Sequence, residues 1–269
     1  MTPAGRVLRG SSMLVRAAGA THVGRVRDHN EDSIVAGARV FAVADGMGGH
    51  AGGEVASRIA VEALGALEET PASRPEDVTA VLKAANTRIL EAQQDDPGLR
   101  GMGTTVTGVT VVDAGGREHW LVFNIGDSRV YRLADNRMHQ VTRDHSEVRE
   151  LVDAGLLDPS DVATHPLRNV ITRSLGTEPT PDPDVWVLAP TPGERFVVCS
   201  DGLSNELDDR DIMLLARQHA DPQTAADELV GAAVRSGGRD NVSVVVVAVD
   251  PGEDDDDADT APRSGLSRG

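Results

Sequence analysis

Four aspartates stand at the ends of strand-like apolar runs. FAVA leads into Asp45-Gly46, VFNI into Gly126-Asp127 and FVVCS into Asp201-Gly202, while Asp240-Asn241 opens VSVVVVAV. Any one of them reads as a turn, because Asp is depleted inside strands and common in turns. Four such ends, three with an adjacent glycine, fit a second chemistry. Glycine lets the backbone approach a bound ion and offers its own carbonyl as a ligand. Several Asp oxygens without His or Cys describe a hard-cation site for Mg²⁺ or Mn²⁺, not for zinc. Carboxylates this crowded repel one another unless cations neutralise them.

The elements that must position these groups follow from periodicity. Strands are expected at Val40–Ala44, Thr104–Val112, Trp120–Ile125, Val130–Leu133, Phe196–Cys199 and Val242–Val249. Two helices follow the first strand. In Glu54–Leu67 the expected face is Val55, Ile59, Ala63 and Ala66; in Pro75–Gln94 it is Val78, Leu82, Ala85 and Ile89, with Pro75 suited to a first turn. A second pair is expected near Asp209–His219 and Gln223–Val234. Runs of strands separated by helix pairs indicate an α+β layered fold with mainly antiparallel sheets. The strict alternation of a parallel doubly wound sheet is absent. Residues 144–176, a short helix followed by polar, Pro-bearing chain, read as a flap-like insertion over a site.

Composition narrows the class. The chain has 269 residues, 39% hydrophobic and only 2% aromatic, so aliphatic side chains and Ala must fill its core. With 26 Lys and Arg against 43 Asp and Glu, the net charge of −17 argues against nucleic-acid or anionic-lipid partners. A single cysteine cannot form an internal disulfide, and no apolar stretch is long enough to span a bilayer. A soluble, cytoplasmic monomer is expected. Residues 1–251 read as one domain. Residues 252–269, holding six acids and two Arg, read as a disordered acidic tail that leaves stability untouched.

Six segments occur in one register: GRVRDHNEDS from Gly24, ADGMGGH from Ala44, GMGTT from Gly101, IGDSR from Ile125, CSDG from Cys199 and GRDNV from Gly238. Together they resemble the metal-dependent PPM (type 2C) serine/threonine phosphatases. The likeness runs from about Gly24 to Val249 and is strongest to the bacterial branch, which also shares a segment like His165–Gly176. The resemblance implies a four-layer αββα sandwich of two antiparallel β-sheets flanked by helix pairs. It implies hydrolysis of phosphoserine and phosphothreonine on proteins, by direct attack of water activated by two Mn²⁺ or Mg²⁺ ions. By similarity Asp45 bridges the ions, Gly46 gives a carbonyl, Asp201 and Asp240 hold one ion, and Asp127 serves a third, weaker site. Glu31, Asp32 and Asn241 stand behind these ligands, and Arg27 takes the phosphate, for which its planar fork is suited. The implied partners are phosphorylated proteins, namely Ser/Thr kinases or their targets.

The plainer readings stand beside these. Arg27 alone is a solvated charge, Thr104 and Thr105 are strand formers, and Ser128 and Arg129 are turn and salt-bridge residues. His50, beside a helix start, suits capping or packing at least as well as acid catalysis. Cys199 is a core residue. A cysteine-dependent phosphatase needs Arg six positions beyond the cysteine, and that position is Asn205. Asn205 also marks a departure, because many PPM members carry Asp there; the loss of one anion weakens the third site. A second functional class remains open on residues alone: a catalytically silent regulator with the phosphatase fold, binding metal or a phosphorylated partner.

Overall fold

The structure is a computed structural model and describes residues 6–8, 13–48, 52–70, 73–177 and 182–251. In chain order the strands are β1 Arg6–Val7, β2 Leu14–His22, β3 Ser33–Ala36, β4 Val40–Ala44, β5 Gly46–Met47, β6 Gly103–Thr104, β7 Val106–Ala114, β8 Arg117–Ile125, β9 Arg129–Ala134, β10 Arg137–Gln140, β11 Asp184–Leu188, β12 Arg195–Cys199 and β13 Val242–Asp250. The helices are α1 Gly52–Gly65, α2 Pro75–Asp95, α3 Glu147–Asp153, α4 Asp201–Ser204, α5 Asp209–Gln218 and α6 Pro222–Ser236. One antiparallel sheet has the order β1-β2-β13-β12-β9-β10; the second has β11-β8-β7-β4-β3; β5 and β6 form a small ribbon.

Period-two alternation builds the layers. In β4, Phe41 and Val43 face the seam between the sheets, while Val40, Ala42 and Ala44 face α1 and α2. In β13, Val245, Val247 and Val249 enter the same seam, and Val242, Val244 and Val246 face α5 and α6. Trp120 fills the centre of the seam, edge-on to Phe41 and Phe196 with ring centroids 6.3 and 5.5 Å away. Helix pair, sheet, sheet and helix pair are therefore held by three apolar seams, as the sequence reading expects.

Several details differ from that reading. The face of α1 is offset: Ala56, Ala60 and Leu64 are fully buried, and Val55, Ile59 and Ala63 only partly so. Small residues on the inner face let α1 lie close to the sheet. The strand expected at Thr104–Val112 breaks at Thr105, whose amide turns aside to the Asp45 carbonyl at 2.9 Å. β2, which pairs with β13 over nine residues, lies outside the expected strands, as do β1, β3, β5, β10 and β11. Segment 144–176 leaves and returns at one end of the sandwich, with bridges Ser146–Ile171 and Thr104–Leu175. Its helix is shorter than the run suggests, at Glu147–Asp153. His50 and the acidic tail lie outside the described residues.

Candidate metal centre

The register of the sheets gathers the predicted carboxylates. Cys199 at the end of β12 lies opposite Val244 on β13 and Arg129 on β9, so Asp201, Asp240 and Asp127 emerge at one end of the sandwich. Asp45 arrives there from β4, which pairs with β7. Its amide donates to Thr105 Oγ1 at 3.1 Å, and its carbonyl accepts from Thr104 Oγ1 at 2.9 Å. Thr104 and Thr105 thus do more than favour a strand: they fix the backbone of Asp45. At Gly46 a Cβ would sit 2.2 Å from the Gly53 carbonyl oxygen and 2.5 Å from that of Glu31. Only glycine fits where these three chain segments meet.

Asp240 is reached through the loop at 23–31. Gly24, at φ +84°, packs so closely on the Asp240 carbonyl that a Cβ would lie 2.3 Å from it. Asn241 laces this loop down: its Nδ2 donates to the Val23 and His29 carbonyls, both at 2.9 Å, and its Oδ1 accepts from the Glu31 amide at 2.8 Å. Arg27 is half-exposed and donates to Asp240 Oδ2 at 2.8 Å.

The electrostatics of the group are unusual. Burial, together with the charges of Asp32, Asp201, Asp127 and Asp240, holds the Asp45 carboxyl well above the usual range. Burial and then Asp201 push Asp127 up to about 8. Burial pushes Asp32 up to about 7, against hydroxyls of Ser243 and Ser200, with Ser200 Oγ 2.9 Å from Asp32 Oδ2. Asp201 is raised by burial and by Asp240, although it shares a hydrogen bond with Asp45 and accepts one from Asn205 Nδ2 at 2.9 Å. Burial raises Glu31 as well. Oδ1 of Asp32 and Oδ1 of Asp127 are buried without a hydrogen-bond partner. Among the described residues no three His, Cys, Asp or Glu side chains already converge on one ion-sized point. The carboxylates instead turn to one another, to Arg27 and to Asn205.

An all-oxygen donor set with mutually raised carboxyls and orphaned buried oxygens fits hard divalent cations. Neutralising the set requires either protons or ions, and ions can enter because Asp45, Asp127, Asp201 and Asp240 retain partial exposure. All the predicted site residues are thus brought together, Asp32 and Glu31 included. Two features lay beyond sequence reasoning: the clamp of Asn205 on Asp201 and the serines behind Asp32. Arg129 donates from Nη2 to Asp144 Oδ2 at 2.7 Å, bearing out the plain salt-bridge reading. Cys199 is fully buried, and burial pushes its thiol up to about 12, which fits an inert core residue.

Comparison with known proteins agrees with this geometry. The protein phosphatase 2C family profile matches residues 18–230. The serine/threonine protein phosphatase PstP of Mycobacterium tuberculosis is 40% identical over 240 residues, covering 88% of this chain and 46% of that protein. The chain therefore spans about half the length of that relative. Protein phosphatase PhpP of Streptococcus pneumoniae is 34% identical over 239 residues, covering 85% of this chain and 95% of that one. The crystal structure of the catalytic domain of PstP in complex with two manganese ions superposes with a TM-score of 0.81 at 37% identity, covering 88% of this chain and 99% of that one. Fold, carboxylate cluster and matched length lead to one conclusion: this chain belongs to the protein phosphatase 2C family.

Proposed function

We propose that this chain hydrolyses phosphoserine and phosphothreonine on proteins, with two Mn²⁺ or Mg²⁺ ions held in the carboxylate basin. The observation that carries the reading is the gathering of Asp45, Asp127 and Asp201 beside Asp32 at the strand ends, each raised by burial and by neighbouring carboxylates, with Arg27 at the rim. Asp45 and the Gly46 carbonyl would help hold the pair of ions, and Asp201 and Asp240 would hold one of them. Asp127 would serve a third and weaker position. Bound ions of this kind supply an acidified water and Lewis acidity toward a phosphoryl oxygen.

The protein's own groups do the rest. Glu31 and Asp32 accept hydrogen bonds from water in the basin and set its orientation. Arg27, half-exposed at the rim, would present its fork to the phosphate oxygens. Asn241 keeps the loop carrying Arg27 and Glu31 in register with Asp240. No helix among the described residues is long and apolar enough to cross a membrane. Phosphorylated Ser/Thr kinases or their targets as substrates, a monomeric state, a cytoplasmic setting, residues 1–251 as the phosphatase domain and residues 252–269 as a separate acidic tail complete the proposal.

The test is turnover of a phosphothreonine peptide by the wild-type chain and Asp45→Asn, each with and without Mn²⁺, with folding checked by circular dichroism. Turnover that needs both Mn²⁺ and Asp45 supports the reading. Binding of Mn²⁺ without any turnover by the wild type would instead identify a silent regulator of the same fold.

A further inference from the structure

One imidazole holds the backbone that aims Asp127. The Gly126 amide donates to His145 Nδ1 at 3.0 Å. The Gly126 carbonyl accepts from the His145 amide at 2.9 Å and from Asn124 Nδ2 at 3.0 Å. That carbonyl lies in the same peptide plane as the Asp127 nitrogen, so holding it fixes where the Asp127 side chain begins. Gly126 itself sits at φ +113°, and a Cβ would meet the Thr105 side chain at 2.6 Å, so residue 126 offers no other handle. Asp127 Oδ1 is buried without a partner, which leaves its direction to the backbone.

His145 is also where the insertion closes on itself. An acceptor at Nδ1 places the ring proton on Nε2, which faces Asp184 Oδ2 at 3.1 Å. Asp184, the first residue of β11, is gripped in turn by Arg173 Nη1 at 2.8 Å. The His145 carbonyl accepts from the Thr172 amide at 2.9 Å. Both ends of segment 144–176, the start of β11 and the Asp127 loop therefore meet on His145, partly through its backbone and partly through a side chain that is almost fully buried. The two directional ring contacts hold the imidazole in one orientation, which fixes the acceptor it offers to the Gly126 amide.

We propose that His145 is a positioning residue of the cation basin, whose Nδ1 acceptor and backbone amide set the peptide that aims Asp127, so that seating of the insertion and the hold of Asp127 on a divalent ion are one coupled property. The proposal rests on the reading of the basin as a divalent-cation site. It separates His145 from the residues that touch ions or substrate, because His145 acts through the Gly126–Asp127 peptide.

The experiment is Mn²⁺ calorimetry on the wild type, His145→Asn and His145→Gln, each with and without Asp127→Ala, alongside hydrogen exchange at the Gly126 amide in the metal-free proteins. Asn carries its Oδ1 near the place of Nδ1, whereas Gln carries its polar atoms nearer the place of Nε2. His145→Asn is expected to keep Gly126 protected and to hold the weakest Mn²⁺ step within about threefold of wild type. His145→Gln is expected to expose Gly126 and weaken that step about tenfold, the effect of one lost buried hydrogen bond. Asp127→Ala should erase the difference. Wild-type-like Mn²⁺ binding by His145→Gln with Gly126 exposed overturns the role of His145, as do equal losses in the two variants. If His145→Gln does not fold, His145→Asn decides: loss of the weak step despite a protected Gly126 overturns it, and retention supports it. A wild-type chain that binds no Mn²⁺ overturns the cation reading itself, independently of His145.

Discussion

Strand β12 carries a buried carboxylate problem at each end, and the chain solves the two in opposite ways. Before its first residue stands Glu194, which is 1% exposed. Its oxygens accept from Trp120 Nε1 at 2.7 Å, Arg132 Nε at 2.6 Å and the Thr191 amide at 2.8 Å. Beyond its last residue stands Asp201, whose neighbours Asp45, Asp32 and Asp127 are all raised by burial first and also by the charge of Asp201. Two of their oxygens have no partner. A buried charge is tolerated when paired and hydrogen-bonded, and otherwise takes up a proton. The contrast shows that this fold can satisfy a buried carboxylate fully. At the basin it leaves positive charge to be supplied from outside, and that difference separates a structural anion from a cation site.

The largest effect that sharpens the contrast is on turnover. Asp45→Asn should lower kcat on a phosphothreonine peptide by about three orders of magnitude or more, since several kcal/mol of barrier lowering depend on the ions proposed for Asp45. Its fold should survive, because the substitution removes a charge the apo chain holds only with difficulty. Near-wild-type turnover at saturating Mn²⁺ would break the assignment. At the other end of β12 the pattern should invert. Glu194→Gln leaves Arg132 without its anion and should cost about 3 kcal/mol of stability in urea unfolding, while KM and the Mn²⁺ requirement stay put.

Arg27→Ala should lower kcat/KM by about tenfold to a hundredfold, matching about 1.5–3 kcal/mol for a charged hydrogen-bond partner, mostly through KM. Mn²⁺ affinity should hold or rise slightly, because Asp240 loses its competing cation. A collapse of Mn²⁺ affinity with KM unchanged would make Arg27 structural. The smallest effect belongs to Asn205→Asp. The amide now clamps Asp201; an added carboxylate repels Asp201 instead and awaits an ion. The Mn²⁺ activation curve should move to lower concentration by roughly threefold, near 0.7 kcal/mol. The metal-free chain should melt lower. Asp127→Ala should blunt the shift, since neighbours acting on one ion are not additive. An unmoved curve would remove Asn205 from the account.

The sequence exposes those parts of this molecule that repeat or terminate. The face Val78, Leu82, Ala85 and Ile89 of α2 is buried as its spacing requires. The four aspartates are visible because each interrupts an apolar run at a strand end, and antiparallel pairing then gathers those ends. β2 escapes notice because LVRAAGATH has small residues on both faces and no alternation of polarity. The offset of α1 has the same origin: Ala56 and Ala60 are chosen for close approach to the sheet, while larger Val55 and Ile59 pack at its flank. Contacts that tune the basin, such as Asn241 reaching 218 residues back to Val23, have no period at all. Pairings set by tertiary folding leave no local trace in the chain.

The central claim, that the basin is built short of positive charge, is tested most directly by thermal melting of the metal-free protein at pH 5 and pH 8, each repeated with Mn²⁺. Asp32 at about 7 and Asp127 at about 8 lie above the ordinary carboxylate value near 4. Between those limits the folded chain binds more protons than the unfolded one, so stability from these groups is present at low pH and drains away as pH rises toward 8. The account predicts that the metal-free chain melts lower at pH 8 than at pH 5, and that Mn²⁺ raises the melting temperature far more at pH 8, where it replaces the lost protons. Equal Mn²⁺ stabilisation at the two pH values, or none at either, would contradict it.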